Sequence, residues 1–256
     1  MSVTSITKRD VNKMIDKVVD AGSPVAANRI LAYTKRFFSW CKERDILDQS
    51  PVEAIKLPSK ENDRDRVLNL GEIKSFWISC DKMGYPWGPI FQLLLLTGAR
   101  LKEVSQASWS EISISDRTLD LPGSRTKNER AHQIQLSVQT LKILLSLPKI
   151  EGQDFLFSTN GKTPVSGFSK VKKRLDILCG VANWRFHDLR RSFATHSSEK
   201  LSVSPVIVDK ILNHRTGQVR GVTAVYQRGE YLAERREALQ KWGDYIERLV
   251  AGEDEA

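Results

Sequence analysis

Six side chains, scattered over most of the sequence, are of the kinds that handle a phosphodiester: Arg100, Lys127, His187, Arg190, His214 and Tyr226. They lie in four segments: Thr97-Gly-Ala-Arg-Leu-Lys-Glu103, Thr126-Lys-Asn-Glu-Arg130, His187-Asp-Leu-Arg190, and Leu212-Asn-His214 followed by Val225-Tyr-Gln-Arg228. Arg100 follows a glycine break at a helix start, with Glu103 placed to orient it. Arg190 comes three residues after His187, so both fall on one helical face. Two guanidiniums can clamp a phosphate bidentately and stay charged at any relevant pH. The two imidazoles can donate hydrogen bonds and exchange protons near neutrality. Lys127, on a turn, can swing its ammonium to a leaving oxygen, and Tyr226 offers a phenol. Such a pocket suits a phosphodiester whose negative charge grows during attack. No Asp/Glu cluster of metal-binding spacing accompanies the six, so the pocket would work without Mg²⁺.

Each residue alone has a plainer reading. An arginine or lysine in a chain holding 40 of them is usually a solvated surface group. His187 could pack at a helix start, His214 could cap a helix C-terminus, and Tyr226 could be amphipathic core. Order and spacing, not any single residue, favour the chemical reading.

The elements that must position these groups can be read from periodicity. Thr7 with Asp10 resembles a capping box, and Val11, Met14, Ile15, Val18 and Val19 recur at helical spacing. Ser23-Pro24 opens a second helix with Ala27, Ile30, Leu31, Thr34, Phe37, Phe38 and Cys41 on one face. A short third helix is expected around Pro51 to Ile55. Residues 56–69 are polar and charged, as a linker would be. Beyond them, helices are expected over Leu70–Met83, Pro89–Leu96, Arg100–Ala107, Val138–Leu147, Ser166–Cys179, Asp188–Ser197, Ser204–Leu212 and Tyr231–Val250. Strands are expected over Ser110–Ile114, Thr118–Leu121 and His132–Leu136. In the last helix Leu232, Leu239, Trp242, Ile246 and Leu249 form a narrow apolar seam.

The chain has 256 residues, 40% hydrophobic, with a net charge of +9. That is enough apolar content for a real core, and a charge that favours polyanionic partners. The longest apolar run, Leu93 to Leu96, is far too short for a membrane span, and the N-terminus lacks the apolar stretch of a secretory signal. Three widely spaced cysteines, Cys41, Cys80 and Cys179, suggest neither a disulfide framework nor a zinc site. A reducing, cytoplasmic setting fits these features.

Together the motifs TGARLKE, TKNERAHQIQLS, HDLRRSFAT, LNH and VTAVYQR resemble the tyrosine recombinase family, of the kind found as integrases of temperate phages and genomic islands. The resemblance covers nearly the whole chain. It implies a mainly α fold with a small antiparallel β-sheet (α+β). Residues 1–58 would be a helical, SAM-like core-DNA-binding domain, 59–69 a linker and 70–256 the catalytic domain. It implies that Arg100 and Arg190 bind the nonbridging phosphate oxygens and that Lys127 is the general acid for the departing 5′ oxygen. His187 would assist proton transfer, His214 would hydrogen-bond the phosphate, and Tyr226 would be the nucleophile. Asn213 stands where many members carry Gly. No cofactor, metal or ATP is implied, because a phosphotyrosyl bond conserves the energy of the cleaved ester.

The implied partner is double-stranded DNA, with a tetramer acting on two duplexes and a monomer or weak oligomer when free. The setting would be bacterial and nucleoid-associated, on a phage or other mobile genetic element. Lys8, Arg9, Arg29, Lys35, Arg36 and Lys42 are candidate DNA contacts in the first domain, and Lys170, Lys172, Lys173 and Arg174 in the second. The apolar seam of the last helix is expected to dock on a neighbouring protomer. The chain starts near where the core-binding domain would begin, so an arm-binding domain is expected to be missing. Two other readings remain open: a type IB topoisomerase-like strand transferase, and a catalytically silent DNA-binding remnant.

Overall fold

The computed structural model describes residues 2–60, 64–214 and 230–253. Contacts divide the chain into two units, Met1–Arg64 and Asp65–Ala256.

The first unit is built on α1 (Lys8–Asp20) and α2 (Pro24–Glu43). The Thr7 hydroxyl accepts from the Asp10 amide, and the Asp10 carboxylate accepts from the Thr7 amide at 2.9 Å, which satisfies two otherwise orphaned N–H groups. Val11, Ile15, Ala27, Leu31 and Phe38 form the core, closed by Val52 and Ile55. Residues 51–54 form turns rather than the expected third helix. Two apolar positions at i and i+3 are too few to sustain a helix nucleus, yet they suffice to cap the core. Phe37, assigned to the inner face of α2, is 47% exposed and stacks on Trp40. The line through Ala27, Leu31 and Phe38 takes the buried side, and Phe37 lies roughly 100° around the helix from Phe38.

The second unit carries α3 (Leu70–Met83), α4 (Trp87–Thr97), α5 (Leu101–Ser105), a small sheet, and then α6 (Val138–Leu145), α7 (Phe168–Cys179), α8 (Phe186–Leu201), α9 (Pro205–Ile211) and α10 (Leu232–Ala251). It is thus a mainly α fold with a small sheet. The strands β1 (Ile112–Ser113), β2 (Thr118–Leu121) and β3 (His132–Gln135) pair antiparallel in chain order. Leu119 faces Ile134 and Leu121 faces His132.

Residues 66–69, assigned by their polarity to the linker, are bound into this unit. Leu68 is fully buried; its amide donates to Ser192 Oγ at 2.8 Å, and its carbonyl accepts from His196 Nε2 at 2.7 Å. Arg66 pairs with Glu72. The helix α4 is buried along nearly its whole length, and α3, α6, α8 and α10 pack around it.

The seam of α10 does not wait for another protomer. Leu239, Trp242, Ile246 and Leu249 are each at most 3% exposed, in contact with this chain's own core, and Trp242 Nε1 donates to the Leu95 carbonyl at 2.9 Å. Only Leu232 of the five is exposed. An apolar stripe looks the same in sequence whether its partner is another chain or this one. Among the described residues no helix is long and apolar enough to cross a membrane. All three cysteines are buried and free.

Candidate active site

The α4–α5 junction builds the first arginine. Gly98 ends α4 in the left-handed region, at φ +61°, where an L side chain is strained. A Cβ there would also stand 2.9 Å from both Leu212 and Phe193, so only glycine fits. The chain then enters α5 with Arg100 at the N-cap. The buried Glu103 carboxylate accepts from the Arg100 amide at 2.8 Å and from its Nη1 at 2.7 Å. Arg100 Nη2 donates to the Asn213 carbonyl at 3.2 Å. One carboxylate therefore starts the helix and aims the guanidinium.

Arg190, on the inner side of α8, is 3% exposed. Its Nη1 donates to the Gly98 carbonyl at 2.6 Å and its Nη2 to the Leu212 carbonyl. Its Nε has no hydrogen-bond partner among the described residues. Burial, and then the like charge of Arg100, pushes its pKa down to about 9, which still leaves it ionised at neutral pH. A buried cation with no carboxylate paired to it among the described residues gains from any anion that enters beside it.

His187 sits in the first turn of α8. That turn is fixed by the fully buried Asp188, which accepts from the Arg185 amide at 2.8 Å and from Arg191 Nη1 at 2.7 Å. Burial and the flanking Arg191 and Arg190 lower the His187 pKa. His214 follows α9. Its Nδ1 donates to Asp209 Oδ1 at 3.1 Å, which leaves the Nε2 lone pair as the free face of the neutral ring. Its pKa is also lowered, by burial and Arg190, against the pull of Asp209.

Lys127 lies in the connection between β2 and β3, exposed and without an ion pair among the described residues. Thr126 Oγ1 shapes the turn by donating to the Arg130 carbonyl at 2.7 Å. On one side of Lys127, Arg125 Nη2 donates to the Glu103 carbonyl at 3.0 Å and its Nη1 pairs with Glu111. On the other, Asn128 Nδ2 donates to Asn213 Oδ1 at 2.7 Å.

Two cavities converge here. One of about 530 Å³ is lined by Arg100, Lys127, His187 and Arg190 among others. One of about 450 Å³ is lined by Arg100, Lys127, Asn128, Asn213 and His214 among others. Five of the six residues singled out in the sequence thus line these two cavities, Arg100 and Lys127 lining both. The sixth, Tyr226, lies outside the described residues. The chain returns at Glu230, which lines a smaller cavity together with His132, Asn213 and His214.

Sequence reasoning passed over Asp188, Asp209, Asn128 and His132. Each acts through a partner distant in sequence or about one helical turn away. Only Asp188, three residues after Arg185 at a helix start, left a capping signal. Among the described residues no group of three or more His, Cys, Asp or Glu side chains could hold a metal ion.

The candidate DNA contacts fall into two groups. Lys8, Arg9, Arg29, Lys42, Lys170, Lys173 and Arg174 are exposed. Lys35 is half-buried and Arg36 pairs with Glu43 at 3.1 Å. Lys172 pairs with Asp176 at 2.5 Å and lies 3.7 Å above the Trp184 ring, so its charge is engaged within the chain.

A helical domain with a short sheet gathers two arginines, two histidines and a lysine around two cavities that share Arg100 and Lys127, a concentration of positive charge that suits an anion. Residues 67–228 match the model described as Phage integrase family, and the chain belongs to that family. It is 25% identical over 255 residues to Prophage integrase IntZ of Escherichia coli K12, covering 98% of this chain and 62% of that protein. It is 27% identical over 258 residues to Prophage integrase IntA of the same organism, with the same coverage. The chain therefore spans about three fifths of the length of these relatives. In fold it is similar to a lambda integrase dimer bound to a COC′ core site, with a TM-score of 0.68 at 18% identity, covering 84% of this chain and 81% of that one. It is also similar to a lambda integrase tetramer bound to a Holliday junction, with a TM-score of 0.69 at 18% identity, covering 84% and 66%.

Proposed function

We propose that this chain is a site-specific DNA recombinase that cuts and rejoins strands through a 3′-phosphotyrosine at Tyr226. The observation that carries the reading is the convergence of Arg100, Arg190, His187, His214 and Lys127 on two cavities that share Arg100 and Lys127 in their walls. Tyr226 precedes Glu230 by four residues, a covalent tether of at most about 14 Å between their Cα atoms.

In this mechanism the Tyr226 oxygen attacks phosphorus and the phosphorus–O5′ bond breaks. The phenol proton leaves through His187, and Lys127 gives a proton to the departing 5′ oxygen. Arg100 and Arg190 hold the two nonbridging oxygens, whose charge grows as the bonds exchange. An ordinary phenol, with a pKa near 10, is ionised in only about one molecule per thousand at pH 7. The paired guanidiniums offset that deficit in the transition state. Return of the 5′ hydroxyl reverses the same steps without ATP. The exposed basic side chains of α1, α2 and α7 would neutralise duplex phosphates, making binding fall steeply with salt. The likeness to a tetramer on a Holliday junction supports a tetrameric assembly on two duplexes.

The test is a nicked suicide duplex carrying the attachment junction of the element that encodes this chain. A covalent protein–DNA band is expected with the wild type, absent with Tyr226→Phe, and retained in EDTA. A band that survives Tyr226→Phe overturns the nucleophile. Relaxation of supercoiled plasmid without strand exchange between duplexes would place the chain with strand-relaxing enzymes instead.

A further inference from the structure

We propose that Asn128 and Asn213 form a side-chain clasp that positions Lys127 for protonating the leaving oxygen. The proposal rests on the assignment of Lys127 as general acid. The β2–β3 ladder ends at the pair Leu121 and His132, so residues 122–131 stand outside it. Lys127 itself is exposed and reaches no carboxylate among the described residues. Its position must therefore come from its neighbours. Arg125, two residues before, is fixed to the Lys102 and Glu103 carbonyls at 3.3 and 3.0 Å. Asn128, one residue after, donates to Asn213 Oδ1 at 2.7 Å, and Asn213 Nδ2 returns a longer bond to Asn128 Oδ1 at 3.4 Å.

The far side of this clasp is itself part of the phosphate-binding frame. Asn213 sits in the left-handed region at φ +47°, a conformation that asparagine tolerates better than most residues. Its amide donates to the Lys210 carbonyl at 3.2 Å, and its own carbonyl accepts from Arg100 Nη2 at 3.2 Å. Asn213 thus holds Arg100 through its backbone and the lysine turn through its side chain. The two tethers flanking Lys127 both end on groups that also hold Arg100: Glu103 on one side, Asn213 on the other. A lysine has four rotatable side-chain bonds, and fixing its Cα near the reacting phosphate removes much of the search for a productive pose.

Asn128 and Asn213 are positioning residues, so their loss should act on proton donation and not on DNA affinity. The experiment measures single-turnover cleavage of the suicide duplex with an ordinary phosphodiester and with a 5′-bridging phosphorothiolate, whose thiolate leaves without a proton. Lys127→Ala, Asn128→Ala, Asn213→Gly and the double asparagine variant are compared. Asn213→Gly keeps the left-handed backbone and the carbonyl that receives Arg100. Expected is a 10- to 100-fold slower phosphodiester cleavage for each single asparagine variant, on the order of 1.4–2.8 kcal/mol. The double variant should be no slower than either single one, and all should return near the wild-type rate on the phosphorothiolate. Wild-type rates on the phosphodiester, or an equal loss on both substrates, overturn the clasp. A Lys127→Ala variant that is not restored by the phosphorothiolate overturns the acid assignment and the clasp with it, and this control tells the two failures apart.

Discussion

The His132 imidazole donates through Nε2 to the Ile211 carbonyl, 3.1 Å away across 79 positions of sequence. This bond ties β3 to the end of α9, immediately before Asn213 and His214. Arg235 makes a second tie from α10, donating to the Gln133 carbonyl on the same strand and to the Glu230 carbonyl at 3.3 Å. The interval that carries Tyr226 therefore leaves from, and returns to, groups anchored on β3.

Burial above all pushes the His132 pKa down to about 4, against about 6.5 in an unfolded chain. The folded state then binds fewer protons than the unfolded one between those values. Stability should rise with pH through that window and be lost as pH falls from 6.5 towards 4, by up to about 3 kcal/mol from this group. Urea denaturation at pH 7 and pH 5 measures it. His132→Gln should be less stable at pH 7 but show a smaller difference between the two pH values. An equal difference would mean that other groups dominate the acid response.

Glu103 is nearly fully buried and holds both the amide and the guanidinium of Arg100. Glu103→Gln keeps the shape and removes the charge. Cleavage should slow by about 10- to 100-fold, since the guanidinium proposed to hold the phosphate is freed to wander, while DNA affinity changes little. Filter binding alongside single-turnover cleavage separates the two, and an unaltered cleavage rate would reject the orienting role.

His214 gives its Nδ1 proton to Asp209, so the neutral ring presents a lone pair at Nε2. To donate to a phosphate oxygen it must take up a second proton, which the negative phosphate favours. DNA binding at pH 7.5 should therefore be accompanied by proton uptake, seen as a binding enthalpy that varies with the ionisation enthalpy of the buffer. His214→Gln should remove most of that variation. Identical enthalpies in phosphate and Tris for the wild type would count against a charged His214 in the complex.

Trp242 is fully buried and bonded to the Leu95 carbonyl. Trp242→Ala should destabilise the second unit by about 3–5 kcal/mol. Chains ending after Gly229 should fail to fold that unit, rather than fold and merely assemble poorly. Circular dichroism melts of both variants test this, and a truncated chain with a wild-type melt would restore the view of α10 as a docking arm.

Much of this was legible in the sequence because the signals are local. The Thr7–Asp10 box, the Ser23-Pro24 start and the apolar run of α4 are each written within a few adjacent residues. The site motifs stand out because the proposed chemistry restricts residue type: Arg100, Lys127, His187, Arg190 and His214 would have few substitutes in holding a phosphate, and all five line the two neighbouring cavities. What stayed hidden depends on distant partners. Nothing near Leu68 announces Ser192 and His196, and nothing near Asn128 announces Asn213. Phe37 and Phe38 are equivalent in type, and only the packing of α1 against α2 decides which one faces inward. The seam of α10 was read correctly as apolar but given the wrong partner, since hydrophobicity is non-directional.

Besides its proposed place on the phosphate, Arg190 is a strut, because its two terminal nitrogens join the Gly98 and Leu212 carbonyls. Losing it would cost the fold as well as the proposed reaction. A relative of this chain without the proposed activity would still be under selection to keep that arginine, merely to stay folded. Among the described residues Lys127 has no such second duty, and drift would erase it early. In judging whether a related sequence still works on DNA, a surviving lysine in the β2–β3 turn is therefore stronger testimony than a surviving arginine in α8.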